Sequence, residues 1–140
     1  MAMLDLEPAA TELTGLLGAV TDDQLGSPTP CENTSVGALL DHLMSLSQAG
    51  GATMPAEQIA VVAVDELVLH GWDLARATGQ RFKADPASTA AVLAFTTEMA
   101  KPEHAPHRKG LFGPVVETPK DASDLDRALG LAGRDVGWKS

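Results

Sequence analysis

The stretch VVAVDELVLHGWDLARATG, residues 61–79, is the segment around which the rest of the chain is organised. Glu66 and His70 are four residues apart, so on a helix they lie one turn apart and point to the same side. The apolar residues that would bury one flank of this helix are Ile59, Val62, Leu67, Leu69 and Leu74. An unpaired carboxylate on such a flank is costly, and a cation shared with a histidine removes that cost. The pair is therefore a candidate for two metal ligands.

The same spacing has a simpler interpretation. With 19 acidic residues and four histidines in 140 residues, one pair of an acidic residue and a histidine at this spacing is expected by chance. Taken alone, the pair is either a metal site or a hydrated contact on a helix surface. We expect Asp65, Asp73 and Arg76 to occupy polar positions elsewhere on the helix. Asp73, like Asp41, could orient the ring N–H group of a nearby histidine, but we favour its pairing with Arg76.

Length and composition indicate one helical domain spanning residues 1–140. The chain has three Phe, two Trp and no Tyr, so its core must be built from Ala, Leu and Val, which favours closely packed helices. No apolar alternation is long enough to require a sheet. The predicted fold class is all-α.

The charge balance argues against several partners. A net charge of −9 would repel the phosphates of nucleic acid and the surface of an anionic membrane. We find no signal segment and no apolar run of membrane-spanning length, so we expect a cytoplasmic protein. Cys31 is the single cysteine, which excludes an internal disulfide and a cysteine-rich zinc cluster, and we expect it to be a packing residue.

Helix boundaries follow from capping residues, prolines and glycines. In chain order we first predict a helix over about 6–20 and a short turn with capping-box spacing at Thr21 and Gln24. A second helix is capped by Ser35, and a third covers about 55–78 and ends at Gly79. A fourth helix begins at Asp85 and ends before Pro102, and a short last helix is capped by Ser123.

His42 lies on the second predicted helix, three residues after Leu39 and four before Leu46. This places it on or beside the apolar stripe, so we expect it to point inward. By itself such a histidine is either a core residue bonded to a backbone carbonyl or a ligand.

Residues 101–122 lose all periodicity and are predicted to form an ordered loop over the bundle, in which His104 and His107 are solvated rather than ligands.

Three segments resemble a known family. They are PTPC at 28–31 followed by Val36, the leucines at 39 and 40 and DHL at 41–43; HGWDLARATGQ at 70–80; and LFGPVVETPKDASDLDRALGLAGRDVGW at 111–138. Together they resemble the DinB-like, mycothiol-dependent maleylpyruvate isomerase N-terminal family, in particular its small actinobacterial metal-binding members.

This resemblance implies a DinB-like helical bundle with one divalent metal held by three side chains. The implied ligands are His42 from the second helix and the pair Glu66 and His70 from the later one. Two nitrogens and one oxygen leave a position open for water or substrate, which suits zinc best, although nickel or iron would also accept it. The implied partner is a low-molecular-weight thiol such as mycothiol, and the implied activity is thiol S-transfer or isomerisation.

The chain also departs from the family pattern. Thr34 stands where a tryptophan is usual, and the tight QAGGAT link at 48–53 replaces a long segment between His42 and Glu66. We therefore expect a bundle shortened by about one helix, whose open apolar flank is completed in a homodimer. The isomerase carries its catalytic arginine on a further C-terminal domain, so maleylpyruvate isomerisation is not expected here.

Two alternatives remain open. The chain is a non-catalytic metal-binding module or a dimeric interaction module, or it is a bundle without metal in which His42 and His70 hydrogen-bond to Glu66.

Overall fold

The computed structural model describes residues 4–31, 33–48 and 56–140, with the side chains of 46–48 and 56 left aside. Within these ranges the chain is helical and contains no β-strand, which confirms the all-α prediction. The α-helices are α1 (Glu7–Gly18), α2 (Val36–Gln48), α3 (Ala56–Ala77), α4 (Pro86–Met99), α5 (Ala105–Arg108) and α6 (Asp124–Leu131). None of them combines the length and the apolar character needed to cross a bilayer.

Local capping signals set the helix ends, as the sequence predicts. The Asp85 carboxylate accepts a hydrogen bond from the Ser88 amide at 3.0 Å, and the Ser123 hydroxyl accepts one from the Asp126 amide at 3.1 Å. Gly79 follows α3 with φ +67°, the left-handed conformation that ends a helix. The predicted start of the third helix at Thr53 and Pro55, and most of the QAGGAT link, lie outside the described residues.

Helix α3 is the centre of the bundle, because α1, α2 and α4 all pack against it. Two core clusters form along its length. The first contains Ala9, Val64, Val68, Leu69, Trp72, Val92, Ala128, Leu129 and Ala132. The second contains Leu13, Leu16, Val36, Leu39, Leu74, Ala75 and Ala77. Leu67 and Phe82 pack against both clusters, so the two are joined across α3. Ile59, predicted to face the core, is 42 % exposed near the start of the helix.

Helix α6 packs against α4 and against the segment that precedes it. The Val116 amide donates to the Gly130 carbonyl at 2.9 Å. A Cβ atom at Gly130 would lie 2.6 Å from the Val116 carbonyl oxygen, so only glycine permits this approach.

The prediction of a loop over residues 101–122 was wrong at its beginning. A 3₁₀ turn spans Pro102–His104 and is followed at once by α5. Each of these two elements carries a proline, Pro102 or Pro106, in its first turn, where the missing amide costs nothing. The prolines therefore start helical turns here instead of excluding them. Beyond α5, the Arg108 guanidinium donates to the Gly113 carbonyl at 2.7 Å and also to the Leu131 carbonyl, which ties the segment to α6.

Candidate metal centre

One oxygen of Glu66 lies between two histidine rings that come from different helices. Its Oε2 atom is 3.0 Å from Nε2 of His70, one turn further along α3. The same oxygen is 3.2 Å from Nε2 of His42 on α2. The contact between α2 and α3 thus brings together the three residues that the sequence and the family resemblance singled out.

The three side chains differ in exposure. The side chain of His70 is 11 % exposed and that of Glu66 is 20 % exposed, whereas that of His42 is 47 % exposed. The prediction that His42 points inward was therefore wrong. Its place beside the apolar stripe puts it at the border of the α2–α3 contact, where the ring reaches Glu66 while one side remains in solvent. The centre is closed on the α3 side and open to water at His42.

Asp73 holds the other nitrogen of His70. Its carboxylate is completely buried, and Oδ2 lies 3.1 Å from Nδ1 of the ring. Arg134, itself buried, donates to the same carboxylate from Nη2 at 2.8 Å and from Nε at 3.3 Å. Because the Asp73 carboxylate is a hydrogen-bond acceptor for the guanidinium, it is also the acceptor in its contact with His70, and Nδ1 carries the hydrogen. The other ring nitrogen, Nε2, faces Glu66.

The predicted pairing of Asp73 with Arg76 was wrong. The predicted polar position of Asp73 was also wrong, because this residue is buried. The Arg76 guanidinium instead donates to the Val136 carbonyl at 3.2 Å and lies over the ring of Trp72, 5.3 Å from its centroid. Asp65, also expected at a polar position, is 2 % exposed. Reasoning from the sequence weighed Asp73 as a group that orients a histidine ring but favoured its pairing with Arg76, and it missed Arg134. The available signals were the three-residue spacing of His70 and Asp73 and the GRD triplet at 133–135 in the closing segment, residues 111–138.

The charges of the centre reinforce one another. Burial opposes ionisation of Glu66, but hydrogen bonds from His70 and then His42 lower the pKa of its carboxyl. Burial also opposes the charge on His70, yet hydrogen bonds to Asp73 and Glu66 raise the pKa of the ring to about 9. In the absence of a metal, His70 therefore carries two protons near neutral pH and donates one to each carboxylate.

Asp65 adds a second acidic group behind the centre. Burial, and next the negative charge of Glu66, raise the pKa of this carboxyl to about 7. Its Oδ1 atom is buried with no hydrogen-bond partner among the described residues. A proton on Asp65 lessens the cost of keeping the group inside the bundle.

Two further groups of side chains in the described ranges could supply metal ligands. Cys31 lies close to His70 and Asp73, with ligand atoms within 4.8 Å of one another. The guanidinium of Arg134 already neutralises Asp73, so a dication placed there would meet an adjacent positive charge. Of these two groups, which share His70, the one formed by His42, Glu66 and His70 is therefore better suited to a cation.

The remaining group is Glu98, Glu103 and His104 near the end of α4. Its side chains lie at the surface, and the Lys101 ammonium is 2.6 Å from Glu98. His104 is 32 % exposed and 3.1 Å from Glu98. A surface carboxylate that already has an ammonium partner has little need of a metal.

Comparison with known proteins places this architecture in a family. The family model described as the mycothiol maleylpyruvate isomerase N-terminal domain matches residues 6–110, which include all three candidate ligands. Two uncharacterised proteins from two strains of Mycobacterium tuberculosis are each 23 % identical over 173 aligned positions, covering 91 % of this chain and 94 % of each relative. No solved structure matches the chain significantly. The all-α fold, the matched residues and the extent of the match show that the chain belongs to the mycothiol maleylpyruvate isomerase N-terminal domain family, which is DinB-like.

Proposed function

We propose that this protein binds one divalent metal through His42, Glu66 and His70 and uses it to activate a low-molecular-weight thiol, such as mycothiol, for S-transfer or isomerisation. The observation that carries the proposal is the single Glu66 oxygen placed 3.0 Å and 3.2 Å from two imidazole nitrogens of separate helices. Family membership supports the thiol, because the family is described by a mycothiol-dependent isomerase.

The donor set fits a divalent metal of the zinc type. In tetrahedral coordination, ligand atoms bonded to such an ion at about 2.0–2.2 Å lie roughly 3.3–3.6 Å from one another. The two nitrogen–oxygen separations around Glu66, 3.0 Å and 3.2 Å, are a few tenths of an ångström shorter, so a small outward shift of the side chains would accommodate the ion. Two imidazoles and one carboxylate, with no fourth ligand grouped with them in the described part of the chain, match catalytic zinc sites better than structural ones, and nickel or iron also accept such a set.

When bound, the metal would supply the Lewis acidity that keeps a thiol ionised near neutral pH. The protein's own groups prepare the site. Asp73 accepts a hydrogen bond from Nδ1–H of His70, which keeps the proton on Nδ1. Once the proton on Nε2 has left, the lone pair of Nε2 is therefore on the side of Glu66. His42, with its 47 % exposed side chain, leaves an opening through which a thiol of modest size can reach the three ligands.

A non-catalytic metal-binding role is the alternative that one observation favours. The alignment with the curated relatives runs over 173 positions, more than the 140 residues of this chain, so the relatives carry residues that it lacks. If those residues form the substrate wall in other members, this chain retains the ligands without the pocket.

Metal analysis and a transfer assay test these roles. Protein purified without a chelating resin should contain close to one equivalent of metal, and less than about a tenth of an equivalent would contradict the site. Mycothiol with a chlorinated or epoxide acceptor should be consumed at a rate that depends on this metal. His70→Ala should remove both properties, whereas His107→Ala, which alters an exposed histidine outside the centre, should change neither. Full metal content without turnover would favour the non-catalytic alternative.

We further propose that a second copy of the chain completes the bundle. An apolar groove of about 360 Å³ lies between α3 and α4, lined mainly by Val61, Val62 and Phe95. Ile59, one turn before Val62, is exposed nearby. The residues that the relatives possess and this chain lacks support self-association, because an unshortened bundle would cover such a face from within.

We also infer that residues 1–140 form one domain, and that it resides in the cytoplasm.

Light scattering during size-exclusion chromatography tests the second copy. The protein should elute with twice the mass of its 14.5 kDa chain, and Ile59→Glu should convert it to a monomer. Leu17→Glu is the matched control, because Leu17 is as exposed as Ile59 but lies on α1. A monomeric wild-type protein at about 100 μM would contradict the proposal.

A further inference from the structure

The candidate centre is held from behind by a residue far away in the sequence. Oδ2 of Asp73 lies 3.1 Å from Nδ1 of His70 and 2.8 Å from Nη2 of Arg134, so one buried oxygen joins a candidate ligand to a guanidinium. Asp73 and Arg134 are 61 residues apart. Removing Arg134 would leave the buried Asp73 carboxylate with the His70 ring alone, and removing Asp73 would leave the guanidinium buried without its carboxylate.

The backbone of the closing segment fixes the position of Arg134. Its amide donates to the Leu129 carbonyl at the end of α6, and its Nη1 atom donates to the Ala132 carbonyl at 3.1 Å. Gly133, immediately before it, has φ +85°, and a Cβ atom there would lie 2.8 Å from the backbone of Gly113. The guanidinium therefore has little freedom to leave Asp73.

The Asp73 carboxylate determines which nitrogen of the His70 ring carries a proton. Because Asp73 also accepts from Arg134, its oxygen remains an acceptor and requires a proton on Nδ1 of His70. That proton fixes the tautomer, so a neutral His70 presents the lone pair of Nε2 on the side of Glu66 and His42. The ring orientation is fixed at the same time, since both of its nitrogens have partners.

We propose that Arg134 is a positioning residue for the metal centre: through Asp73, the closing segment of the chain fixes the tautomer and the orientation of His70. This rests on the proposed function for the identity of the ligands and extends it to Arg134, whose guanidinium hydrogen-bonds to Asp73 and Ala132. The ligand of the site remains a divalent cation, and the affinity of the site for this cation depends on Arg134 as well as on the three ligands. Loss of such a supporting partner typically weakens metal binding by about 10- to 100-fold.

Titration with Co²⁺, followed by its visible absorption, tests the inference directly. We expect Arg134→Met to lower the Co²⁺ affinity by about 10- to 100-fold and to alter the absorption bands, because the His70 ring is no longer held. Arg134→Lys should recover part of the affinity, since it restores a positive charge beside Asp73. Arg108→Met is the matched control: this arginine also ties the closing segment together, through the carbonyls of Gly113 and Leu131, but does not contact Asp73.

Folding is measured alongside binding, by circular dichroism and thermal unfolding. If Arg134→Met is too unstable to test, the double variant Asp73→Asn/Arg134→Met removes both buried charges and should show the same loss of affinity. The inference is overturned if a folded Arg134→Met protein binds Co²⁺ within about threefold of the wild type, or if Arg108→Met loses as much affinity at equal stability.

A second readout does not depend on metal binding. In the metal-free protein, the Nδ1 proton of His70 should give an NMR resonance protected from exchange with water, and this signal should disappear in Arg134→Met. If the wild-type protein binds neither Co²⁺ nor Zn²⁺, the proposed function fails, and this resonance still decides the role of Arg134. Absence of the resonance in the wild type, or its persistence in Arg134→Met, would refute the positioning role.

Discussion

The imidazole rings of His42 and His70 stand nearly perpendicular, at 79°, with their centroids 4.9 Å apart. This arrangement points both Nε2 atoms at one oxygen of Glu66. Two protonated rings so close together would repel each other, and the carboxylate between them offsets that repulsion; a shared cation instead requires the Nε2 proton of each ring to have left. The relationship makes the three residues one unit, and several measurable consequences follow.

The two histidines should not contribute equally to metal binding. His70→Ala should lower the affinity for Zn²⁺ by more than about 100-fold, because the ring is buried and held at both nitrogens. His42→Ala should cost less, about 10- to 100-fold, because water can replace its 47 % exposed side chain. Competition with a chromophoric chelator measures both values. Equal affinities for the wild type and His70→Ala would contradict the site.

The neighbouring cysteine should not be a ligand. Cys31→Ser should leave the Zn²⁺ affinity within about threefold of the wild-type value, since the cation beside Cys31 and Asp73 is the guanidinium of Arg134. The Co²⁺ form should likewise lack the intense near-ultraviolet band of a cobalt–thiolate bond. A strong band that vanishes in Cys31→Ser would move the centre to the group formed with Cys31.

Stability of the metal-free protein should fall as pH rises. The pKa of His70 is raised from 6.5 to about 9, so its stabilising contribution is complete below pH 6.5 and is lost as pH passes through 9. The pKa of Asp65 is raised from 3.8 to about 7, so the fold favours the protonated carboxyl and loses stability between these two pH values. Both effects have the same sign.

Urea unfolding in the presence of a chelator measures this dependence. The free energy of unfolding should decrease between pH 5 and pH 9 by a few kcal/mol. Asp65→Asn should remove the part below about pH 7, and His70→Gln the part above it. Stability that rises over this interval would show that the two groups are not buried as described.

The core around α3 should be sensitive to truncation independently of metal. Leu74 is 0 % exposed and belongs to the cluster on the α1 and α2 side of α3, so Leu74→Ala should destabilise the protein by about 2–5 kcal/mol. Leu17→Ala, at a side chain that is 40 % exposed, should cost less than about 1 kcal/mol. Chemical denaturation of the metal-free proteins compares the two. A cost at Leu74 no larger than at Leu17 would contradict this packing.

Much of the fold could be predicted because its signals are local. Asp85 and Ser123 cap helices through amides three residues away, and the spacing of Glu66 and His70 is a property of one helix. Burial of Asp73 could not be predicted in this way, because its partner Arg134 is 61 residues distant and no local pattern encodes that pairing.

The error at His42 has a different physical origin. Helical periodicity gives the direction of a side chain but not the extent of the neighbouring surface. On α2 that surface ends at the ring itself, which leaves one side of His42 in water. The segment after α4 is rich in proline, which predicts a loop when proline counts only as a helix breaker, whereas Pro102 and Pro106 begin helical turns.

The ion pair between Asp73 and Arg134 has a consequence for the order of assembly during biosynthesis. Helix α3 leaves the ribosome well before residue 134, so a nascent chain holds Glu66, His70 and Asp73 without the guanidinium that later compensates the buried carboxylate. Until residue 134 has emerged, Asp73 stays hydrated and α3 cannot settle fully into the bundle. Under the proposed function, binding of the cation at full affinity would therefore wait for the arrival of Arg134.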